Sequence, residues 1–349
     1  MTDEIFMQRC FDLARLGAGS VSPNPMVGAV LVHEGRIIGE GWHRQYGLAH
    51  AEVNCVASVL EKDRHLMDKS TLFVSLEPCC FHGKTPACTD LILRKRIPKV
   101  VIASLDETPE VAGKGVELLR NAGVEVITGI CASQANLPSE IRNVFVSKKR
   151  PFIQLKFAQS VDGYMGTPGK QVWLSNQFSQ VLAHKGRAEF DAILVGTNTA
   201  LTDDPALTNR HWFGKSPLRI VLDRHRRLPS NLQLLQGTAT TWVVTEKLLA
   251  GDESNDLLRF FELDFDTHLL ENLMGLLFER RITSLIVEGG AFTIRQFLQK
   301  DLWDEAVIFT TPARLGEGIL TPTPMGREVA RYQLGKDTLT ILRNAVDCR

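Results

Sequence analysis

The sequence predicts an α/β fold in two domains, and three observations support this prediction. The chain has 349 residues, which is more than one ordinary hydrophobic core accommodates. Short apolar runs that are typical of buried strands alternate with amphipathic helical patterns along most of the chain. The alternation weakens near residue 137 and restarts after residue 151, so we expect domains at 1–146 and 147–349.

The first domain begins with a helix predicted over residues 2–17, where apolar positions recur at helical spacing. Two strands within 27–42 follow, and the Glu34-Gly35 pair between them predicts a tight turn. The remaining elements alternate: helix 51–62, strand 70–76, helix 88–96, strand 99–105, helix 113–123 and strand 124–129. Residues 137–151 are interpreted as a connection, and their basic end, SKKRP, is expected to be a solvated linker rather than a phosphate-binding patch.

The second domain shows the same alternation but does not repeat the sequence of the first. Its helices are predicted at 176–188, 269–280 and 291–300. Its strands are short and strongly apolar, and they are predicted at 152–158, 191–196, 218–223, 240–245, 284–288 and 304–312. This pattern predicts a second layered α/β domain.

Charge and composition limit the classes of partner. Lys and Arg together number 40, as do Asp and Glu, so the chain lacks the basic excess of a typical nucleic-acid-binding protein. No apolar run reaches the roughly 18–20 residues needed to cross a bilayer. The N-terminus, MTDEIFMQRC, is acidic before it is apolar, unlike a secretory signal. We therefore expect a cytoplasmic protein with neither nucleic acid nor membrane as a partner.

The seven cysteines favour a reducing compartment with a metal site over a disulfide framework, because their number is odd and three are tightly clustered. Cys10, Cys131 and Cys348 stand alone and are predicted to be free thiols. Cys55 follows an apolar helical pattern and is predicted to lie in the core.

The cysteine cluster lies in LEPCCFHGKTPAC, residues 76–88, downstream of HAEVNC, residues 50–55. A borderline-soft ion such as zinc prefers imidazole and thiolate ligands, and His50, Cys79 and Cys88 would supply three of them and leave a fourth position for water. Glu52 lies in the same first helical turn and could take a proton from that water and deliver it to a leaving amine. This combination is typical of zinc deaminases.

Each of these residues also has a purely structural interpretation. His50 and Glu52 alone could be a helix cap and a surface carboxylate, and the two cysteines alone could be core thiols. Their combination at this spacing favours the metal site. Cys80 is interpreted as a packing residue, because the side chains of adjacent cysteines diverge. His82 is interpreted as a substrate contact rather than a ligand.

The strand-to-helix turn at Gly289-Gly290 is the main binding signal of the second domain. No G-x-G-x-x-G follows a strand there, so a Rossmann dinucleotide site is not expected. Two glycines let the backbone approach a phosphate at a helix N-terminus, although such a turn can also be merely structural. The D-D-P run at 203–205 is interpreted as a polar turn, since a metal site there lacks an evident third ligand.

Longer motifs resemble a known family. SPNPMVGAVLV, HAEVN, SLEPCCFHGKTPACTDLIL and VAGKGVELLRNAGVEV resemble the deaminase domain of the bifunctional riboflavin-biosynthesis enzymes of bacterial type. PFIQLKFAQSVDG, DAILVGTNTALTDDPALTNR and LIVEGG resemble the fused reductase domain. The resemblance runs over nearly the whole chain in family order.

The resemblance implies a cytidine-deaminase-like three-layer domain followed by a dihydrofolate-reductase-like domain. The first would bind one zinc ion and hydrolytically deaminate 2,5-diamino-6-(5-phosphoribosylamino)pyrimidin-4-one. The second would use NADPH to reduce the ribosyl group of 5-amino-6-(5-phosphoribosylamino)uracil to ribityl. The implied partners are therefore small phosphoribosylaminopyrimidines, and the expected assembly is a homo-oligomer.

The resemblance also implies roles for individual residues. It assigns zinc to His50, Cys79 and Cys88 and the proton shuttle to Glu52. It places deaminase substrate contacts at Asn24, His43, His82, Lys84 and Thr85. It places reductase substrate contacts at Lys156, Asp162, Arg187, Leu207, Arg210 and Glu288. It places NADPH contacts at Ala158, Trp173, Thr199, Asp203, Arg224, Gly290, Ala291, Phe292, Thr293, Ile294, Arg295 and Gln296. No protein nucleophile is expected, since hydride transfer depends mainly on positioning.

The sequence departs from the family pattern at a few positions of the second domain. Tyr164 stands where a basic residue is usual and Gln171 where a substrate-contacting Ser is usual, in a segment one residue short. Arg224 replaces a small polar residue and could pair with the 2′-phosphate of NADPH. These departures motivate one alternative, a deaminase whose second domain is not catalytic. A nucleic-acid base deaminase is a further alternative, which the neutral net charge opposes.

Overall fold

The structure is a computed structural model that describes residues 2–83, 85–108, 112–237, 239–252 and 254–344. The chain divides into two compact units, Met1–Lys149 and Arg150–Arg349. Each unit has its own sheet and its own buried apolar clusters. Cys348, which we predicted to be a free thiol, lies outside the described residues.

A five-stranded mixed sheet forms the centre of the first unit. Its strands are β1 (Gly28–His33), β2 (Arg36–Trp42), β3 (Thr71–Leu76), β4 (Lys99–Ser104) and β5 (Glu125–Thr128). They lie in the order β2-β1-β3-β4-β5. β1 is antiparallel to both of its neighbours, whereas β3, β4 and β5 are parallel to one another.

Helices cover both faces of this sheet: α1 (Asp3–Arg15), α2 (Ala51–Ala57), α3 (Cys88–Arg94), α4 (Lys114–Asn121) and α5 (Ala132–Lys148), with a 3-10 segment at Glu61–Lys69. Successive side chains of a strand point to opposite faces. Ala29 and Leu31 therefore share a core with residues of α2, α3 and α4, whereas Val30 and Val32 pack with residues of α1. This three-layer arrangement confirms the predicted fold class. Cys55 is fully buried in the first of these cores, as predicted.

Two glycines bring helices close to the first hairpin. A Cβ on Gly28 would collide with the carbonyl oxygen of Cys10 in α1, and one on Gly41 would collide with the amide nitrogen of Cys55 in α2. The absence of a Cβ at Gly41 therefore lets β2 pack directly against the backbone of α2.

A nine-stranded sheet forms the second unit. Its strands are β6 (Phe152–Ser160), β7 (Ala192–Gly196), β8 (Leu218–Leu222), β9 (Thr241–Thr245), β10 (Leu258–Glu262), β11 (Ser284–Val287), β12 (Glu305–Thr311), β13 (Gly326–Leu334) and β14 (Asp337–Asn344). The order is β10-β9-β8-β7-β11-β6-β12-β14-β13. The strands from β10 to β12 are parallel, and β14 and β13 add an antiparallel hairpin at one edge.

The helices of the second unit are α6 (Gln177–Glu189), α7 (Thr197–Asp203), α8 (Leu269–Glu279) and α9 (Ala291–Gln299). α8 and α9 share a core with Ile153 and Leu155 of β6. α6 packs on the other face, where Gly186 approaches Ile286 of β11. Lys156 alternates with Leu155 along β6 and so faces the α6 side. In parallel α/β sheets ligands bind beyond the carboxyl ends of the strands. For β6, β7 and β11 these ends are at Ser160, Gly196 and Val287.

The interpretation of residues 137–151 as a connection is wrong, because most of this stretch belongs to α5. The helix continues through Pro138, and Val144 and Phe145 are buried on its inner face. The basic run SKKRP is only partly solvated. Lys148 and Lys149 are exposed, whereas Arg150 is buried and donates two hydrogen bonds, of 2.6 and 2.8 Å, to the carboxylate of Asp304.

Most of the other predicted elements are confirmed, but the helix predicted over 51–62 ends at Ala57 and gives way to the 3-10 segment. Four elements were not predicted: α7, β10 and the β13–β14 hairpin. β13 is exposed along most of its length, so its sequence lacks the apolar run of a buried strand. The D-D-P run begins at the last residue of α7, and Asp204 adopts a left-handed conformation (φ 38°) after it.

Candidate active sites

The predicted zinc ligands come together in the first unit. His50 is the N-cap residue of α2, Cys79 follows β3, and Cys88 is the first residue of α3. Their ligand atoms all lie within 4.8 Å of one another. His50 Nδ1 is 3.5 Å from Cys79 Sγ and 3.4 Å from Cys88 Sγ. One imidazole nitrogen and two sulfurs at these distances suit a tetrahedral zinc site with one open position.

The two sulfurs share a hydrogen bond, which separates their proton affinities. The hydrogen bond from Cys88, assisted by His50, lowers the pKa of the Cys79 thiol to about 4. The same bond, together with burial, raises the pKa of Cys88. The Cys79 sulfur is therefore the more readily deprotonated of the two, as a metal ligand must be.

Glu52 lies beside this cluster in the first turn of α2 and is only 3% exposed. Burial, reinforced by the negative charge of Cys79, raises the pKa of its carboxyl. A carboxylate with a raised pKa accepts a proton more readily near neutral pH than an ordinary surface glutamate does, which suits a group that takes a proton and later passes it on.

A hydrogen-bond network surrounds the ligand histidine. His43 is 2% exposed, and its Nδ1 donates to the carbonyl of Ala49 at 3.1 Å. Its Nε2 is then the acceptor and receives a hydrogen bond from Asn24 Nδ2 at 3.2 Å. Asn54 donates to the same Ala49 carbonyl at 3.2 Å. The network therefore connects the two predicted substrate contacts, Asn24 and His43, to the residue that precedes His50.

The remaining predicted contacts of this unit differ in their surroundings. Thr85 Oγ1 lies 3.4 Å from His50 Nε2, at the mouth of the cluster. The His82 imidazole is largely exposed and lies 3.2 Å from the carboxylate of Asp90. Cys80 is outside the donor cluster, and burial raises the pKa of its thiol. Lys84, another predicted contact, lies outside the described residues.

Glu77 has a structural role that the sequence did not indicate. It is 4% exposed, and its carboxylate accepts hydrogen bonds from the backbone nitrogens of Gly113 at 2.9 Å and Val116 at 3.1 Å. These groups belong to the start of α4, so Glu77 fixes that helix against the strand that leads to Cys79. The only available signal was a carboxylate at the end of an apolar strand.

The second unit contains a cavity of about 800 Å³ beyond the carboxyl ends of its parallel strands. Thirteen of the predicted substrate and cofactor contacts line it: Lys156, Ala158, Trp173, Arg187, Thr199, Asp203, Leu207, Arg210, Glu288, Gly290, Ala291, Phe292 and Arg295. Trp173 and Phe292 are each 74% exposed, which leaves their rings free to stack on a ligand.

A buried ion cluster lies in this cavity. Arg187 donates two hydrogen bonds to the carboxylate of Glu288, at 3.1 and 2.9 Å, and Lys156 Nζ lies 3.6 Å from it. Burial alone would raise the pKa of Glu288, but Arg187 and Lys156 outweigh it and hold the pKa at about 2. Burial lowers the pKa of Lys156. Two cations for one carboxylate leave a net positive charge, which suits a phosphorylated substrate.

His184 also lines this cavity, although the sequence interpretation did not select it. It is 5% exposed, and its Nδ1 accepts a hydrogen bond of 2.9 Å from the backbone nitrogen of Arg210. Burial, assisted by the positive charge of Arg187, lowers its pKa to about 4, so the imidazole is neutral near pH 7. Its position three residues before Arg187 on α6 was the available signal.

A second cavity of about 480 Å³ shares Asn198, Thr199, Gly290 and Phe292 with the first. It is also lined by Arg224, Thr293 and Gln296 from the predicted cofactor contacts. Arg224 is already paired, because its Nη2 donates to the carboxylates of Glu246 and Asp266. A cofactor phosphate would have to exchange with one of these carboxylates to pair with Arg224.

The turn after β11 leaves room for a phosphate chain. A Cβ on Gly290 would lie 3.0 Å from the hydroxyl of Thr199, which accepts the Gly290 amide at 2.8 Å. Because Gly290 has no Cβ and a cavity lies on each side of it, an extended dinucleotide can pass close to the backbone here. Ile294 is fully buried in the core and its amide bonds to the Gly290 carbonyl, so its side chain faces away from the cavities.

Some predicted positions lie elsewhere. We expected Asp162 to line the same pocket as Lys156, but it is not among the described residues that line the cavity. The turn after β6 directs its carboxylate to the backbone nitrogens of Leu315 and Gly316, at 3.2 and 2.9 Å. Of the departures from the family pattern, Gln171 lines the cavity, whereas Tyr164 does not. Gln171 donates to the carbonyl of Asp203 at 3.2 Å.

Comparison with known families gives two matches. Residues 1–104 match the family described as cytidine and deoxycytidylate deaminase zinc-binding region. Residues 151–338, more than half of the chain, match the RibD C-terminal domain. The chain belongs to the RibD family. Both domains of the family are present, which favours a bifunctional enzyme over a deaminase with a non-catalytic second domain.

RibD relatives match nearly the whole chain. The riboflavin biosynthesis protein RibD of Aquifex aeolicus is 40% identical over 320 residues, which cover 91% of this chain and 89% of that protein. The RibD protein of Escherichia coli is 33% identical and covers 90% of this chain and 89% of its own length. A crystal structure of a diaminohydroxyphosphoribosylaminopyrimidine deaminase/5-amino-6-(5-phosphoribosylamino)uracil reductase from Thermotoga maritima is 36% identical, with a TM-score of 0.89 and 98% coverage of both chains.

Membership of the RibD family confirms the fold class and the type of enzyme. The chain is a bifunctional deaminase and reductase of riboflavin biosynthesis, with a cytidine-deaminase-like first domain and a RibD-type reductase domain. Its cofactors are zinc in the first domain and NADPH in the second. Within the described residues, no helix is both long enough and apolar enough to span a membrane.

Proposed function

We propose that residues 1–146 deaminate 2,5-diamino-6-(5-phosphoribosylamino)pyrimidin-4-one and that residues 147–349 reduce the ribosyl group of the resulting 5-amino-6-(5-phosphoribosylamino)uracil. The observation that carries this proposal is the cluster of His50, Cys79 and Cys88 beside the buried Glu52. The activity named for the Thermotoga maritima structure supports these two substrates.

In the deaminase, zinc held by His50, Cys79 and Cys88 would supply Lewis-acid activation of water. Glu52 accepts the proton of the attacking water and delivers it to the departing amine, for which its buried position and raised pKa suit it. Asn24 and His43 hold the substrate, because their network fixes them next to the residue that precedes His50. Thr85, at the mouth of the cluster, is a further substrate contact, and His82 and Lys84 lie in the same loop.

In the reductase, bound NADPH would supply the hydride. The chain contributes positioning: Lys156, Arg187, Leu207, Arg210 and Glu288 hold the phosphorylated substrate in the larger cavity. Ala158, Trp173, Thr199 and Asp203 contact the cofactor. Gly290 and the first turns of α9, up to Gln296, receive the pyrophosphate, with Ile294 contributing only through its place in the helix. Arg224 contacts the 2′-phosphate after exchange with Asp266, the more exposed of its two partners.

The two activities should depend on different residues, and a single substitution in the deaminase site tests this. Glu52→Gln removes the proton shuttle but keeps the shape of the site, so ammonia release should fall by about 100-fold or more. NADPH oxidation on supplied 5-amino-6-(5-phosphoribosylamino)uracil should not change. Both rates are measured on one purified sample. Loss of both activities in a folded protein with normal zinc content would contradict independent sites.

We also propose that the protein works in the cytoplasm as a homo-oligomer. Reduced Cys79 and Cys88, together with the free Cys10 and Cys131, support a reducing compartment. Exposed apolar side chains at Met325 and Tyr332 near the last hairpin support self-association.

A further inference from the structure

Arg219 is the largest fully buried side chain among the residues that the structure describes, with 1% of its surface exposed. It lies in β8, whose other residues are all apolar. Within the described part of the chain, no carboxylate lies within ion-pair distance of it, and burial lowers its pKa. A buried charge is costly unless it is paired or fully hydrogen-bonded, so the acceptors of this guanidinium are informative.

The guanidinium of Arg219 is held by four backbone carbonyls from two separate segments. Nη1 donates to Ala206 at 3.2 Å and to Gln233 at 3.1 Å. Nη2 donates to Gln236 at 3.3 Å and to Ala239 at 2.6 Å. One side chain therefore connects the segment after α7 to the loop before β9.

Residues 203–207, which comprise the last residue of α7 and the segment after it, form part of the wall of the larger cavity. Two of its residues have left-handed backbones, Asp204 with φ 38° and Leu207 with φ 51°. Non-glycine residues persist in this conformation only where surrounding contacts enforce it. Ala206, which Arg219 contacts, lies between them.

The loop before β9 contacts the same segment from the cavity side. The backbone nitrogen of Gln233 donates to Asp204 Oδ1 at 2.8 Å, and its Nε2 donates to the carbonyl of Asp204 at 2.7 Å. Arg219 binds the carbonyl of Gln233 as well, so the guanidinium and Gln233 together hold residues 203–207 from two sides.

We propose that Arg219 is a positioning residue of the reductase site, which holds residues 203–207 in the conformation that binds substrate. It acts through Leu207 and through the neighbouring Asp203 and Arg210, and it does not contact substrate itself. This inference rests on the proposed reductase function, because it concerns the same cavity.

The test compares kcat and KM of NADPH oxidation in the full-length protein. Arg219→Met keeps an unbranched side chain of moderate length but removes the four hydrogen bonds, and KM for the aminouracil substrate should rise about tenfold while kcat changes less than about threefold. Arg219→Lys, which keeps the charge and some of the donors, should recover part of this loss. The thermal unfolding transition of the second unit in the same samples reports that the substituted domain is folded.

A second pair of variants avoids the core, in case Arg219→Met does not fold. Gln233 and Gln236 are exposed residues of the same loop, and both have carbonyls that accept from Arg219. Only the Gln233 side chain reaches Asp204, whereas that of Gln236 bonds to Ser230. Gln233→Ala should raise the substrate KM about threefold, and Gln236→Ala should leave it unchanged.

Equal KM values for Gln233→Ala and Gln236→Ala, or a folded Arg219→Met protein that is less stable but keeps its KM, would overturn the positioning role. Absence of NADPH oxidation in the unsubstituted protein would instead contradict the proposed function itself. The two failures are therefore distinguishable.

Discussion

The adjacent cysteines Cys79 and Cys80 show how one position decides the chemistry of a side chain. Cys79 Sγ lies 3.5 Å from His50 Nδ1, and its hydrogen bond from Cys88 lowers its pKa to about 4. Cys80 is outside the donor cluster, and burial raises its pKa. The position of the sulfur relative to the other donor atoms, and not the mere presence of a cysteine, makes a metal ligand.

Matched serine substitutions at these two positions test the zinc site. Cys79→Ser should weaken zinc binding by more than about 100-fold, because loss of a ligand exceeds the 10–100-fold cost of losing an outer contact. Cys80→Ser should retain one zinc per chain. Zinc content and competition with a chelator measure both. Equal zinc loss in the two variants would remove Cys79 from the ligand set.

The sequence could identify residues whose role depends on a local motif, and it missed those whose partners are distant. His50 and Glu52 share one helical turn, and a short spacing joins Cys79 to Cys88, so a pattern sufficed. Arg219 is held by backbone carbonyls, and because every residue has one, the amino-acid sequence does not indicate these partners. Glu77 and His184 likewise act on backbone groups of other segments.

At the scale of elements, Gly290 allows the turn after β11 to lie close to α7. A Cβ on Gly290 would press on the Thr199 hydroxyl that accepts its amide. Gly275 in α8 is different, because the space around it is open to 4 Å. Substitution by alanine should therefore affect cofactor binding at Gly290 but only helix stability at Gly275.

Gly290→Ala should weaken NADPH binding about tenfold, since the Thr199 hydroxyl must shift and the turn opens. Gly275→Ala should leave NADPH binding unchanged and raise the free energy of unfolding by about 0.5–1 kcal/mol, because alanine favours a helix. Cofactor titration followed by fluorescence, with denaturant unfolding, measures both effects. An unaffected Kd in Gly290→Ala would exclude a close approach of cofactor at this turn.

Elements with a strong apolar period were predictable, and those defined by tertiary context were not. β3 and β7 are buried at all but one terminal residue each and have the apolar sequence of a buried strand. β13 is mostly exposed and gains its strand conformation from pairing with β14. α5 contains Pro138, whose sequence signal of helix termination is overridden by the packing of Val144 and Phe145.

At the scale of the whole molecule, each unit has its own sheet and apolar clusters, and each cofactor belongs to one unit. A ligand stabilises only the folded state that binds it. Zinc should therefore act on the unfolding of the first unit and NADPH on that of the second.

Calorimetry of the full chain should show two unfolding transitions. A zinc chelator should lower the midpoint of one, and NADPH at about 100 times its Kd should stabilise the other by about 2.7 kcal/mol. For a domain of this size the second shift corresponds to roughly 5–10 °C. A single transition that responds to both treatments would show that the units unfold together.

The strand order of the second unit has a consequence for synthesis on the ribosome. β6 is the first strand of its sheet to be made, yet its neighbours are β11 and β12, which begin at Ser284 and Glu305. Until the intervening chain is translated, the nascent strand Phe152–Ser160 has no partner strand to accept its backbone hydrogen bonds at either edge. During that interval the exposed strand edges make the emerging polypeptide prone to aggregation, whereas the zinc-binding half can already be complete.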